Sequence, residues 1–178
     1  MLEDSELIQL IQTDLNKGYK VLVNQYHKQI YWQVRRMVFS HDDADDVTQE
    51  IFIKIFKNLS KFKGESKLST WIFRISTNES INFINQKAKK NNVSFEEISY
   101  KSAANLENDA FFSGDSIQLK LQKAISSLPE KQRLVFNLKY YDEKKYEEIA
   151  EITGTSVGAL KSSYHLAVKK IEEFVLKN

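Results

Sequence analysis

Apolar positions fall into helical stripes along almost the whole chain. Leu7, Leu10, Ile11 and Leu15 recur at helical spacing, and Val21, Leu22, Tyr26, Ile30, Val34 and Val38 stay near one face from Tyr19 to Phe39. A further stripe, Val47, Ile51, Phe52, Ile55, Phe56 and Leu59, follows the acidic run Asp42-Asp43-Ala44-Asp45-Asp46. Acids at a helix start offset its positive end, and Asp45 or Asp46 is placed to cap it. Gln49, Glu50, Ile53, Lys54 and Lys57 lie off that stripe. Beyond the polar stretch Lys61 to Lys67, Ser69 or Thr70 starts another helix, anchored by Trp71, Ile72, Ile75, Ile81 and Ile84. It ends in Gln86-Lys87-Ala88-Lys89-Lys90, where cations suit a helix C-terminus.

The periodicity stops over residues 91–115. Asn91-Asn92, scattered serines and acids, and Gly114 give turn and linker chemistry. Phe111-Phe112 is unusual in a tether, and one of the two rings is expected to dock. Helical spacing returns with Ile117, Leu121, Ile125 and Leu128. Pro129 sits near the first turn of the next helix, where its missing N–H costs nothing. That helix carries Leu134, Val135, Leu138 and Tyr141. A short helix from Tyr146 to Thr153, a tight turn at Gly154-Thr155-Ser156 and a long final helix complete the chain. The pattern predicts an all-α fold of two small helical domains, residues 1–90 and 116–178, joined by a flexible acidic linker, residues 91–115.

Composition narrows the chemistry. With no cysteine among 178 residues, disulfide scaffolds, thiolate metal sites and cysteine nucleophiles are excluded. One proline and five glycines leave little material for a turn-rich β fold. No apolar run approaches the ~20 residues that span a bilayer. The acidic, amphipathic N-terminus does not resemble a signal peptide. The expected address is the cytoplasm. The net charge of +2 conceals a pattern: the first 90 residues carry net +3, the linker −4 and the last block +3. Two basic blocks around an acidic segment suit a polyanion partner better than a membrane.

The sharpest local signal runs from Tyr146 to Leu160. A helix-turn-helix needs a small residue where its helices touch, as at Ala150. It needs a positive-φ residue in the turn, as at Gly154, and an apolar anchor on the second helix, as at Leu160. Ser156 is placed to cap that second helix and aim free N–H groups at a phosphate. An ordinary αα-hairpin is the alternative for this segment taken alone.

The chain as a whole resembles the extracytoplasmic-function (ECF) sigma factors of the sigma-70 family. Asp42 to Phe52 resembles the family's D-A-x-D-x-x-Q-E-x-F segment. Phe62 to Ile75, FKGESKLSTWIFRI, resembles F-x-G-x-S-x-x-x-T-W-L-x-R-I, with Asn78 following. Leu128 to Arg133 resembles L-P-x-x-x-R, and Tyr146 to Ser162 resembles Y-x-E-I-A-x-x-x-G-x-S-x-G-x-V-K-S. The order of these segments, with an acidic linker between them, makes the resemblance specific.

The resemblance implies a division of labour. Asp46, Gln49, Glu50, Ile53 and Lys54 would grip the β′ clamp helices of core RNA polymerase. The loop bearing Lys63, Gly64, Ser66, Lys67, Ser69 and Thr70 would capture a base flipped from the promoter −10 element, with Arg74, Asn78 and Asn82 along the next helix. Glycine would allow close approach, hydroxyls a base edge and lysines the phosphates. Trp71, an aromatic at helical spacing, is expected in the core. The acidic linker would occupy the path of nascent RNA. The second block would bind the −35 element through Ser156, Lys161, Ser162, His165 and Lys169, and its helices before Tyr146 would hold the β flap. An anti-sigma factor is an expected partner, with no cofactor, no metal and no membrane insertion. Ser163 and Leu166 stand where the family often has arginine, which removes bidentate readout of guanine there.

Two other readings compete with this one. Asp42-Asp43-Ala44-Asp45-Asp46 satisfies D-D-x-x-D, a magnesium–diphosphate motif, but no second acidic cluster accompanies it. His27, His41 and His165 have no ligand spacing. A stand-alone helix-turn-helix regulator is the alternative of a different class, and it would normally dimerise on a palindrome.

Overall fold

The computed structural model describes residues 2–108 and 116–177, and among these every regular element is helical. Helices α1 (Asp4–Thr13), α2 (Leu15–Val38), α3 (His41–Leu59) and α4 (Leu68–Lys90) form the first bundle. Leu7, Leu22, Ile30, Val34, Ile51, Ile55, Leu68 and Ile72 are fully buried between them. The stripes read from the sequence supply this core, with Leu15, Val21, Trp71, Ile75 and Ile81 partly buried against it; Phe56 is 38% exposed, at the edge of α3, its ring packed edge-on against Tyr19.

Two helix starts differ from expectation. Neither Asp45 nor Asp46 caps α3; the hydroxyl of Ser40 accepts the Asp43 N–H at 3.3 Å. Phe39, in the left-handed region at φ 60°, ends α2 immediately before it, so the chain reverses too early for the aspartates to cap. Helix α4 starts at Leu68, one residue before the expected Ser69 or Thr70, with no side-chain cap from Lys67. The Leu68 N–H donates instead to the Asp4 carboxylate of α1 at 3.1 Å, a cap supplied from another helix. The second oxygen of Asp4 accepts from the Tyr26 hydroxyl at 3.2 Å, tying three helices together.

The acidic segment is more structured than a tether. Residues Phe95–Ala104 form α5, followed by a 3-10 turn, Asn105–Asn108. Ser94 caps α5 by accepting the Glu97 N–H at 3.1 Å. Phe95, Ile98, Ser99 and Ala103 are buried against α4 and α6. Phe111 and Phe112 lie outside the described residues.

Helices α6 (Ser116–Ser126), α7 (Glu130–Phe136), α8 (Tyr146–Thr153) and α9 (Val157–Lys177) form the second bundle, α7 passing into a π-helical turn, Asn137–Tyr141. Ile125 and Leu128 are buried as expected, but Ile117 is 78% exposed. No helix among the described residues is long and apolar enough to cross a membrane.

The two bundles pack on each other. Leu134, Val135, Leu138, Ile149, Ile152 and Leu160 join the same apolar core as Ile72 and Phe73. Arg36 of α2 forms an ion pair with Asp142, whose side chain is 3% exposed. Facing Asp142 are Arg36 and, from its own segment, Glu143 and Lys144; Lys28 and Tyr141 line the same groove. Burial pushes the Asp142 carboxyl up to about 6, against the pull of Arg36 and Lys144. The packed form therefore binds a proton that a solvated carboxylate would release. This contribution is complete below pH ~4 and lost as pH rises through about 6. Raising pH from 5 to 7 should lower the wild-type melting temperature relative to Asp142→Asn, by about 2–4 °C per kcal/mol of linkage. Parallel melts at constant ionic strength check this; curves that run parallel across that range would contradict it.

Candidate functional site

Three surfaces gather the residues singled out from the sequence. The first is the outer face of α3. Val47, Ile51 and Ile55 turn inward, which leaves Asp46, Gln49, Glu50, Ile53 and Lys54 exposed. Ile53 is 53% exposed and Phe56 lies one turn further on, so a small apolar patch sits beside the polar groups. Lys54 pairs with Glu79 of α4, a surface contact of little energetic weight. α3 packs on α2 and α4, which leaves this outer face open among the described residues.

The second surface is the loop between α3 and α4. Gly64 has φ 72°, and a Cβ there would meet nothing within 4 Å. That backbone conformation favours glycine. Lys63 and Lys67 are exposed, and Ser66 and Ser69 half-buried. Thr70, in the first turn of α4, is 3% exposed. The loop borders an open cleft of about 430 Å³ lined by Lys61, Phe62, Lys63, Glu65, Ser66, Trp71 and Arg74. Phe62 and Trp71 form one wall, ring centres 5.3 Å apart. Trp71 is thus half-buried: it packs against the core, as its helical spacing predicts, and keeps a face on the cleft. Phe62 and Lys61 were not singled out as site residues from sequence. The signal was there: an aromatic nine positions before Trp71, flanked by lysines. Three cations and two rings around a cleft can hold a phosphate and stack a base.

Arg74, Asn78 and Asn82 continue from the cleft along α4 at intervals of four, on one side of the helix. Asn78 and Asn82 are exposed. Arg74 is half-buried, because its Nε donates to the Glu151 carbonyl of α8 at 3.1 Å. Lys67 reaches Glu148 of the same helix at 3.4 Å. The Lys145 N–H, with Lys67 adding to it, holds the Glu148 carboxyl below its usual range.

The third surface is the helix-turn-helix. Gly154 ends α8 at φ 70°, and its N–H donates to the Ala150 carbonyl at 2.8 Å. Ile149, Ile152 and Leu160 close the core between the two helices. Ser156 caps α9 by accepting the Ala159 N–H at 3.4 Å. Lys161, His165 and Lys169 follow at intervals of four, all exposed, with Ser162 beside them. The Ser162 hydroxyl donates to the Gly158 carbonyl at 3.2 Å, which leaves its lone pairs outward. Ser163 is half-buried. Tyr146 and Tyr164 pack at 6.4 Å behind this face, and the Lys161 ammonium lies 5.8 Å from the Tyr146 ring. No cluster of three or more potential metal ligands occurs among the described residues.

The chain is similar to known proteins. The family "Sigma-70 region 2" matches residues 22–90, and "Sigma-70, region 4" matches residues 118–171. The ECF RNA polymerase sigma-E factor of Escherichia coli strain K12 is 30% identical over 182 aligned residues, spanning 98% of this chain and 95% of that protein. The RNA polymerase sigma-H factor of Pseudomonas aeruginosa is 26% identical, spanning 96% and 93%. Among solved structures, CnrH in complex with the cytosolic domain of CnrY superposes with TM-score 0.74 at 18% identity, covering 98% of both chains. The sigma factor RpoE in complex with the anti-sigma factor NepR from Bartonella quintana superposes with TM-score 0.69 at 20% identity, covering 89% of this chain and 97% of that one.

Proposed function

The chain belongs to the sigma-70 family, in its extracytoplasmic-function branch, and from that premise we infer that it guides RNA polymerase to promoters by reading two DNA elements with two separate surfaces. Sigma factors direct RNA polymerase in transcription and are not enzymes. In this reading, residues 1–90 bind the β′ clamp and the −10 element, residues 91–115 connect, and residues 116–178 bind the β flap and the −35 element. Asp46, Gln49, Glu50, Ile53 and Lys54 face the clamp. Lys63, Gly64, Ser66, Lys67, Ser69 and Thr70 hold the −10 strand, with Arg74, Asn78 and Asn82 along it. Ser156, Lys161, Ser162, His165 and Lys169 face the −35 major groove. The work takes place in the cytoplasm, and an anti-sigma factor is the expected regulator, as for the two structural neighbours solved with one.

The observation that carries this reading is one pairing in a single chain. A cationic cleft walled by Phe62 and Trp71 accompanies a helix-turn-helix whose second helix turns Lys161, His165 and Lys169 outward. A stand-alone regulator would need the second surface and have no use for the first.

The cleft supplies the test. Ser66→Ala removes a hydroxyl at its rim, and Gly64→Val forces a β-branched residue into the left-handed region. Both should reduce promoter opening by tenfold or more while polymerase recruitment falls less than threefold. Permanganate reactivity of unpaired thymines reports opening, and gel retardation of the holoenzyme reports recruitment. Full reactivity in both variants would remove the loop from strand opening.

A further inference from the structure

We propose that Asp4, the first residue of α1, is a positioning residue for promoter opening: its carboxylate pins the end of the α3–α4 loop and so sets how that loop meets a DNA strand. This role rests on the reading of the loop as the −10 surface.

The loop depends on its two ends. At the first, the Lys61 and Phe62 N–H groups donate to the Asn58 and Leu59 carbonyls at 2.9 and 3.2 Å, which finishes α3. Among the described residues, Lys63 to Ser66 then make no backbone–backbone hydrogen bond. The Ser66 hydroxyl donates to the neighbouring Lys67 carbonyl at 3.3 Å, an exposed bond that ties the loop to nothing outside itself. The second end is Leu68, which is wholly buried and opens α4. A helix start leaves its first N–H groups without partners inside the helix. Lys67, at the N-cap position, offers no side-chain acceptor. Asp4 supplies one from 64 residues away: its Oδ2 accepts the Leu68 N–H at 3.1 Å. A carboxylate on a backbone N–H makes a stronger bond than a neutral acceptor does.

The carboxylate is itself held. Its Oδ1 accepts from the Tyr26 hydroxyl of α2 at 3.2 Å, and Tyr26 is 5% exposed. Burial and the Asp4 charge both push the Tyr26 phenol up, which keeps it a donor. Just ahead of α1, the Leu2 carbonyl accepts from the Gln25 amide at 3.1 Å. Leu7 and Ile11 are buried under α1, and Gly18 of α2 lies so near Ile11 that a Cβ would come within 2.7 Å of its backbone. Helix α1 is thus fixed on α2, and Asp4 passes that placement to the loop. Lys63 and Ser66, which line the cleft with Phe62 and Trp71, stand within five positions of Leu68. Without the pin, the DNA strand would have to order this segment as it binds, at the cost of its conformational entropy.

Asp4→Ala removes both acceptors. Asp4→Asn keeps an oxygen for Leu68 and an amide from which the Tyr26 hydroxyl can accept. In protein carrying isotope-labelled leucine, Asp4→Ala should speed exchange of the Leu68 amide hydrogen at least tenfold, and Asp4→Asn less than threefold. In the holoenzyme, Asp4→Ala should lower permanganate reactivity at least fivefold while recruitment by gel retardation stays within twofold. Asp4→Asn should restore opening to within twofold of the wild type. Tyr26→Phe leaves the carboxylate free to turn and should lower opening at least twofold; it decides the case if Asp4→Ala fails to fold. Opening that falls no further than recruitment would mean a purely structural role and overturn the proposal. So would Asp4→Asn with a slow Leu68 amide and defective opening, because the pin would then be intact without effect. Ser66→Ala and Gly64→Val keep the two readings apart. If they lower opening and Asp4→Ala does not, the loop acts and Asp4 does not position it. If none of the three lowers it, the loop has no part in opening and the role of Asp4 falls with it.

Discussion

Changing Gln49 and Glu50 together to Lys should weaken binding to core RNA polymerase by tenfold or more. Both side chains stand on the exposed face of α3, and the two substitutions move the charge of that face by +3. Gln, Glu and Lys have similar helix propensities, and the inward residues Val47, Ile51 and Ile55 are untouched, so the bundle should keep its helicity. Electrostatic complementarity governs encounter and orientation in such contacts, and a reversed charge at the centre of one is costly. Ile53, 53% exposed and one turn from both, offers the apolar contact around which they act. Titration of labelled protein with core enzyme, beside a circular dichroism spectrum, gives the answer. Equal affinity with an intact spectrum would mean that α3 does not face the clamp.

The recognition helix should separate two kinds of contact. Lys161→Ala should cost about 1–3 kcal/mol and relax preference at one −35 position, because Lys161 stands near the start of α9, where side chains reach base edges. Lys169→Ala should weaken all −35 sequences alike and flatten the salt dependence, as loss of a phosphate contact does. Ser163→Arg should add preference for a guanine if its half-buried position lets the longer side chain reach the groove. Selection over randomised −35 sequences reads all three at once. An unchanged selected sequence for Lys161→Ala would mean that α9 is rotated from this placement or that DNA shape supplies the specificity.

Much of this was legible in the chain itself, and the misses have physical causes. Helix stripes and the Gly154 turn follow from local rules, because a spacing of three to four and a demand for positive φ act within a few residues. Helix α5 was missed because Ser99 and Ser102 read as polar. Their hydroxyls donate to the Phe95 and Ile98 carbonyls one turn back, which lets both pack as small residues. The Asp4 cap on α4 could not be read at all, since it joins residues 64 apart in sequence. Arg133 shows the same limit. The sequence marks it as part of a motif, and only the fold shows it caged between Phe39 and Phe95. Phe62 and Trp71 read as ordinary apolar positions until the loop brings lysines around them.

Transcription in vitro tests the central claim most directly. Core RNA polymerase, this protein and a pool of genomic DNA fragments are combined, and the 5′ ends of the transcripts are mapped. The account predicts new start sites that appear only when the protein is added, that share two upstream elements, and that vanish with the Gln49→Lys, Glu50→Lys double variant. Transcripts unchanged by the protein, together with tight binding of the protein alone to a palindromic DNA site, would contradict it.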